Sequence, residues 1–136
     1  MVVVLTVPDE GGVRAITRPI LPSADLGVTS DFYAPLGFRE VGRWPDEYLI
    51  LRGPHDIELH FWWNPRVDRW TNDVACWVGF ERAADVRRLH ATWSAASMPT
   101  PAKLNPPSAI VHLLEFQLVD LHGNLVRVGA PAVTDR

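Results

Sequence analysis

The chain is poor in cysteine, in runs of like charge and in long apolar stretches, and each shortage closes off a class of protein. Cys76 is the single cysteine among 136 residues. No intrachain disulfide is possible, which fits a reducing cytoplasm, and a lone mid-strand thiol without a signalled basic partner reads as inert rather than nucleophilic. No run of lysine or arginine occurs, and the formal net charge is −3 with a pI near 5.9. That leaves no nucleic-acid footprint. The opening "MVVVLTV" is too short to cross a bilayer. It lacks a cationic start and meets Asp9 and Glu10 at once, so neither a membrane span nor a signal peptide is expected. Gly-x-Ser-x-Gly, P-loop and Rossmann glycine patterns are all missing.

Tryptophan and proline, by contrast, are plentiful, at six and 12 residues. The prolines divide the chain into short elements. An apolar arm over residues 1–14 ends after Gly11-Gly12. A β-like run follows at 15–22, where Pro19 implies an edge strand or a bulge, because proline cannot donate to a ladder. Ser23 is a candidate N-cap for a helix with Leu26, Phe32 and Tyr33 on its face, stopped by Gly37. Strand signals follow at 39–44, 47–53 and 56–63. A polar linker, "NPRVDRWTN", separates the halves. The second half reads as a strand at 73–80 and a helix at 81–98 with Val86, Leu89, His90 and Trp93 on one face. A proline-rich loop with room for one very short strand comes next. A strand at 110–120, a turn at "LHGN" and a strand at 125–130 complete it. Each half is thus a strand, a helix and a run of strands.

Three stretches carry a resemblance: "PILPSADLGVTSDFYAPLGF", "YLILRGPHDIELHFW" and "LLEFQLVDLHGNLVRVG". Together they resemble the vicinal oxygen chelate superfamily of glyoxalases, bleomycin-resistance proteins and dioxygenases, and the ending is most similar to the bleomycin-resistance branch, with Leu121 where proline is usual. The resemblance implies an α+β fold of two βαβββ modules (about 15–64 and 72–130) whose strands form an open, cupped mixed sheet in a single domain. It also implies a homodimer with ligand crevices at the subunit interface, and a branch that sequesters a glycopeptide antibiotic without catalysing a reaction.

Enzymes of that superfamily hold a divalent metal on four strands. Aligned through the quoted motifs, the four positions fall on Arg18, Glu58, Asp73 or a neighbour, and Arg127. Arginine has no lone pair to give, so two of the four cannot ligate. The expectation is that Arg18 and Arg127 pair with Glu58 and Asp73 in place of the metal, and that no cofactor is needed. The alternative is a rearranged site of Glu58, His60 and His112, two imidazoles and a carboxylate of the kind zinc or iron accepts, in a metal-dependent glyoxalase- or dioxygenase-like enzyme.

Alternation along "DIELHFWW" puts Glu58, His60 and Trp62 on one face and Phe61 and Trp63 on the other. The first set is expected to line the cup and the second to pack against helices. Rigid aromatics stack on planar ligands at low entropic cost. The expected ligand-binding set is therefore Arg18, Phe38, Trp44, Glu58, His60, Trp62, Trp70, His112 and Arg127. Trp70 has a competing reading, as the seal of a hairpin or of a dimer contact. Arginines left unneutralised would turn the cup toward anionic or polar ligands.

Overall fold

The computed structural model describes residues 12–132. Most of the arm expected over 1–14 lies outside them. The elements run β1 (Ile20–Ser23), α1 (Leu26–Tyr33), β2 (Arg39–Trp44), β3 (Tyr48–Arg52), β4 (Glu58–Trp63), β5 (Ala75–Gly79), α2 (Ala83–Ser94), β6 (Lys103–Leu104), β7 (Ser108–Ile110), β8 (Leu113–Val119) and β9 (Leu125–Pro131).

The fold is α+β, with the strands in two mixed sheets ordered β1-β4-β3-β2 and β5-β9-β8-β6, β7 pairing with β8. In each sheet the first strand lies parallel to the last strand of its own half: β1 on β4 and β5 on β9. The remaining pairs are antiparallel. Ladder bonds therefore stay within each half.

Several local expectations shift by a few residues. The first strand is four residues long and begins after Pro19, whose carbonyl accepts from the His60 amide at 3.1 Å. The cap of α1 is Asp25, not Ser23: its carboxylate accepts from the Val28 amide at 3.0 Å. The Ser23 hydroxyl is turned inward, 2.7 Å from the Thr29 hydroxyl. Gly37 ends the following 3-10 turn with φ 96°, the left-handed geometry glycine adopts without a Cβ clash. The proline-rich loop carries two short strands, β6 and β7, rather than one. The run read as one strand over 110–120 is broken at Val111-His112, a turn in which Val111 takes φ 56°.

One hydrophobic core runs through both halves. Leu49, Leu51, Leu59 and Phe61 face it from β3 and β4; Leu114, Phe116, Leu118, Val126 and Val128 face it from β8 and β9. Trp93 of α2 sits at the junction, its ring 6.2 Å from Phe38 and 5.6 Å from Phe116, and its indole N–H donating to the Leu36 carbonyl. Polar groups stitch the same seam. Tyr33 donates to Asp120 at 2.9 Å, and Asn124 donates to the Pro22 carbonyl at 2.9 Å. The "LHGN" turn forms as expected: Asp120 accepts from the His122 and Asn124 amides, and Gly123 has φ 82°.

Candidate ligand-binding site

With the core on one side of each sheet, alternation gives the opposite face to Tyr48, Ile50 and Arg52 on β3, Glu58, His60 and Trp62 on β4, Trp77 on β5, Glu115 and Gln117 on β8, and Arg127 on β9. Phe61 and Trp63 turn inward as expected. Phe61 is fully buried, and the Trp63 indole N–H donates to the Ala24 carbonyl.

Two carboxylates organise this polar face. Glu58 accepts from the Arg18 Nε at 2.8 Å and lies 2.7 Å from the His60 Nε2, both at Oε2; its Oε1 takes Arg52 at 2.7 Å. These contacts hold the Glu58 carboxyl at about 2, the His60 hydrogen bond contributing most, then Arg52, with desolvation opposing and Arg18 adding less. On the other side of the His60 ring, Nδ1 is 2.7 Å from the Tyr48 hydroxyl. In the neutral ring an Nε2 proton points at the carboxylate, so Nδ1 accepts from Tyr48. Burial and the Glu58 charge both push the Tyr48 hydroxyl up.

Glu115, 1% exposed, is the second. Arg127 grips it with two nitrogens, at 2.6 and 3.0 Å, and Gln117 adds a third bond at 3.0 Å. Arg127 lowers its carboxyl most, against desolvation and with help from Gln117. The expected partner, Asp73, is not used. Arg127 stands opposite Gln117 and Trp77 in the ladder, one diagonal step from Glu115, whereas Asp73 lies before β5 begins. Arg18 does pair with Glu58, as expected.

The metal alternative does not assemble. Glu58 and His60 touch, but His112 is exposed in the β7–β8 turn. Among the described residues no three of His, Cys, Asp and Glu gather as a metal site. Of the four positions that the resemblance marks for a metal, Arg18 and Glu58 are paired with each other and Arg127 is paired with Glu115, and guanidiniums cannot ligate a divalent cation.

The remaining expected residues divide. Trp62 is 43% exposed on the polar face, and Trp44 stands at its edge, 6.4 Å from the Tyr48 ring. Phe38 is core instead, 5% exposed and packed against Tyr33 and Trp93, because the strand begins only after it. Trp70 projects from the linker, flanked by the Arg69 guanidinium at 4.9 Å, and Arg69 itself is tied to the Asp120 and Leu121 carbonyls. Sequence reasoning missed Tyr48, Arg52, Trp77 and Glu115. Strand alternation marks Trp77 as pointing away from Cys76 and Val78; the others needed the register between strands.

No protein-family model and no curated protein matches the sequence. Solved structures do. A bleomycin-binding protein complexed with bleomycin superposes with a TM-score of 0.76 at 24% identity, over 86% of this chain and 98% of its own. The chain has the glyoxalase/bleomycin-resistance fold. A bleomycin-binding protein from the bleomycin producer Streptomyces verticillus, complexed with copper(II)-bleomycin, shares that fold at TM-score 0.70 and 22% identity, over 87% and 98% of the two chains. A Nocardioides glyoxalase/bleomycin resistance protein/dioxygenase shares it at 0.67 and 17%, over 96% and 89%. On the glyoxalase/bleomycin-resistance fold, this chain carries a polar face crossed by two clamped carboxylates and edged by exposed indoles.

Proposed function

We propose that the protein binds and sequesters a small aromatic or glycopeptide antibiotic-like ligand, without a metal and without catalysing a reaction, in a crevice completed by a second copy of the chain. The observation that carries this reading is Glu58. Its carboxylate is taken up by Arg18, Arg52 and His60, so the position most suited to a metal serves to orient side chains beside exposed Trp62. The likeness in fold to proteins crystallised with bleomycin supports the ligand class. Apolar side chains left exposed at the β1 and β7–β8 ends, Ile20, Ile110 and Leu113, support a dimer.

The test is a thermal-shift and tryptophan-quenching screen of bleomycin-type glycopeptides and planar aromatics, with elemental analysis of the purified protein. Saturable quenching that survives chelator is expected. Trp62→Ala should weaken binding about fivefold, as loss of one stacking contact worth about 1 kcal/mol. Stoichiometric metal whose removal abolishes binding would overturn the reading. Sedimentation measures the dimer; a monomer at tens of micromolar would remove that part. No described helix is long and apolar enough to cross a membrane.

A further inference from the structure

We infer that the niche beside Trp77 selects planar aromatic anions. This rests on the reading of the polar face as a binding groove and names the ligand chemistry at one end of it. Arg18, Glu58, Trp77, His55 and Asp56 line an open pocket of about 210 Å³ where the two halves adjoin. Drug-sized ligands occupy roughly 300–1,000 Å³, so this space suits one or two fused rings.

Trp77 is built as a platform. It is 48% exposed, and it lies over two glycines. A Cβ on Gly129 would fall 2.3 Å from its ring, and one on Gly79 would fall 2.9 Å from its indole nitrogen. The glycines thus let the indole lie close against the sheet. The Arg127 guanidinium sits 5.7 Å from the ring centroid.

The polarity follows from counting donors and acceptors. A guanidinium has five N–H donors and no acceptor. Arg127 spends two nitrogens on Glu115, and Arg18 spends its Nε on Glu58, with a long 3.5 Å contact to the Thr17 carbonyl. Each carboxylate already accepts three or four hydrogen bonds. Within these two ion-pair clusters, the groups with bonding capacity left toward solvent are therefore the guanidiniums, with side chains 28% exposed for Arg18 and 45% for Arg127. A ligand that brings acceptors and negative charge is complemented, and a cationic one meets like charge. Asp56 is the counterweight, an exposed carboxylate on the rim. It and His55 are consecutive non-glycine residues at φ 59° and 56°, a left-handed pair of the strained kind that clusters at ligand clamps.

The experiment compares 2-naphthoate with 2-naphthylmethylammonium, the same ring with opposite charge, by isothermal titration calorimetry on the full chain. Naphthoate should bind at least about tenfold more tightly. Trp77→Leu should weaken both probes, and Asp56→Asn, a surface change, should tighten naphthoate while weakening the ammonium. Equal affinity for the two probes, preference for the cation, or a naphthoate affinity unmoved by Trp77→Leu would each overturn the inference. Binding of a glycopeptide that Trp62→Ala weakens, alongside a failed naphthoate preference, would sink this inference alone and leave the proposed function standing.

Discussion

Glu58 shows how a single residue's role is set by its neighbours. By spacing alone it begins a Glu-x-His pair that resembles half a metal site. In the fold it is the hub of two guanidiniums and an imidazole. Its carboxyl is held near 2, against about 4.3 in an unfolded chain. A carboxylate with a lowered folded value contributes stability that is complete above the unfolded value and is lost as pH falls through the folded one. Wild-type stability should therefore decline between about pH 5 and pH 2. Glu58→Gln should be less stable at pH 7 and show a shallower decline in that window, with Glu115 supplying the remaining slope. Urea melts at stepped pH measure this; parallel curves for the two proteins would contradict the hub role. At this scale the sequence was partly legible. Period-two alternation places Glu58, His60 and Trp62 together, and Arg18 pairs with Glu58 as expected, but the second guanidinium, Arg52, comes from the β3–β4 register, which no local pattern states.

At the level of elements, the β7–β8 hairpin is the instructive case. The run from Ile110 to Val119 carries no glycine, proline, asparagine or aspartate, so it reads as one strand. The chain nonetheless reverses at Val111-His112 and pairs Ile110 with Leu113. The left-handed turn position is filled by a β-branched residue that is 87% exposed. That conformation costs an L-residue roughly 1–2 kcal/mol, part of which glycine's extra unfolded-state entropy cancels. Val111→Gly should stabilise the protein by about 0.5–1 kcal/mol, seen as a higher Tm. A lower Tm would mean that the Val111 side chain makes contacts that offset the strain. The same turn removes His112 from the polar face. Where local signals were strong, as in α2 with Val86, Leu89 and Trp93 on one face, the sequence and the fold agree closely.

Across the whole molecule, the α+β plan was legible because each half repeats the order of its elements. The pairing of the halves was not. The seam depends on contacts such as Tyr33 with Asp120 and Trp93 with Leu36, separated by 87 and 57 residues, which no windowed pattern detects. Because one core spans both halves, damage at the seam should be felt by both. Trp93→Ala removes a side chain that is 1% exposed and should cost about 3–5 kcal/mol. It should lower the midpoint of a single shared transition in denaturant. Two separated transitions would show that the halves unfold independently.

The parallel pairing of first strand to last strand also orders events during synthesis. β5 has β9 as its ladder partner, and β9 is made about 50 residues later. At about 5–20 residues per second, the β5 edge waits several seconds for the strand that covers it. In that interval its unpaired amides and carbonyls are a template for other nascent chains. The exposed charges of Glu81 and Arg82 follow β5 directly in the chain, and charge beside an open edge disfavours such pairing.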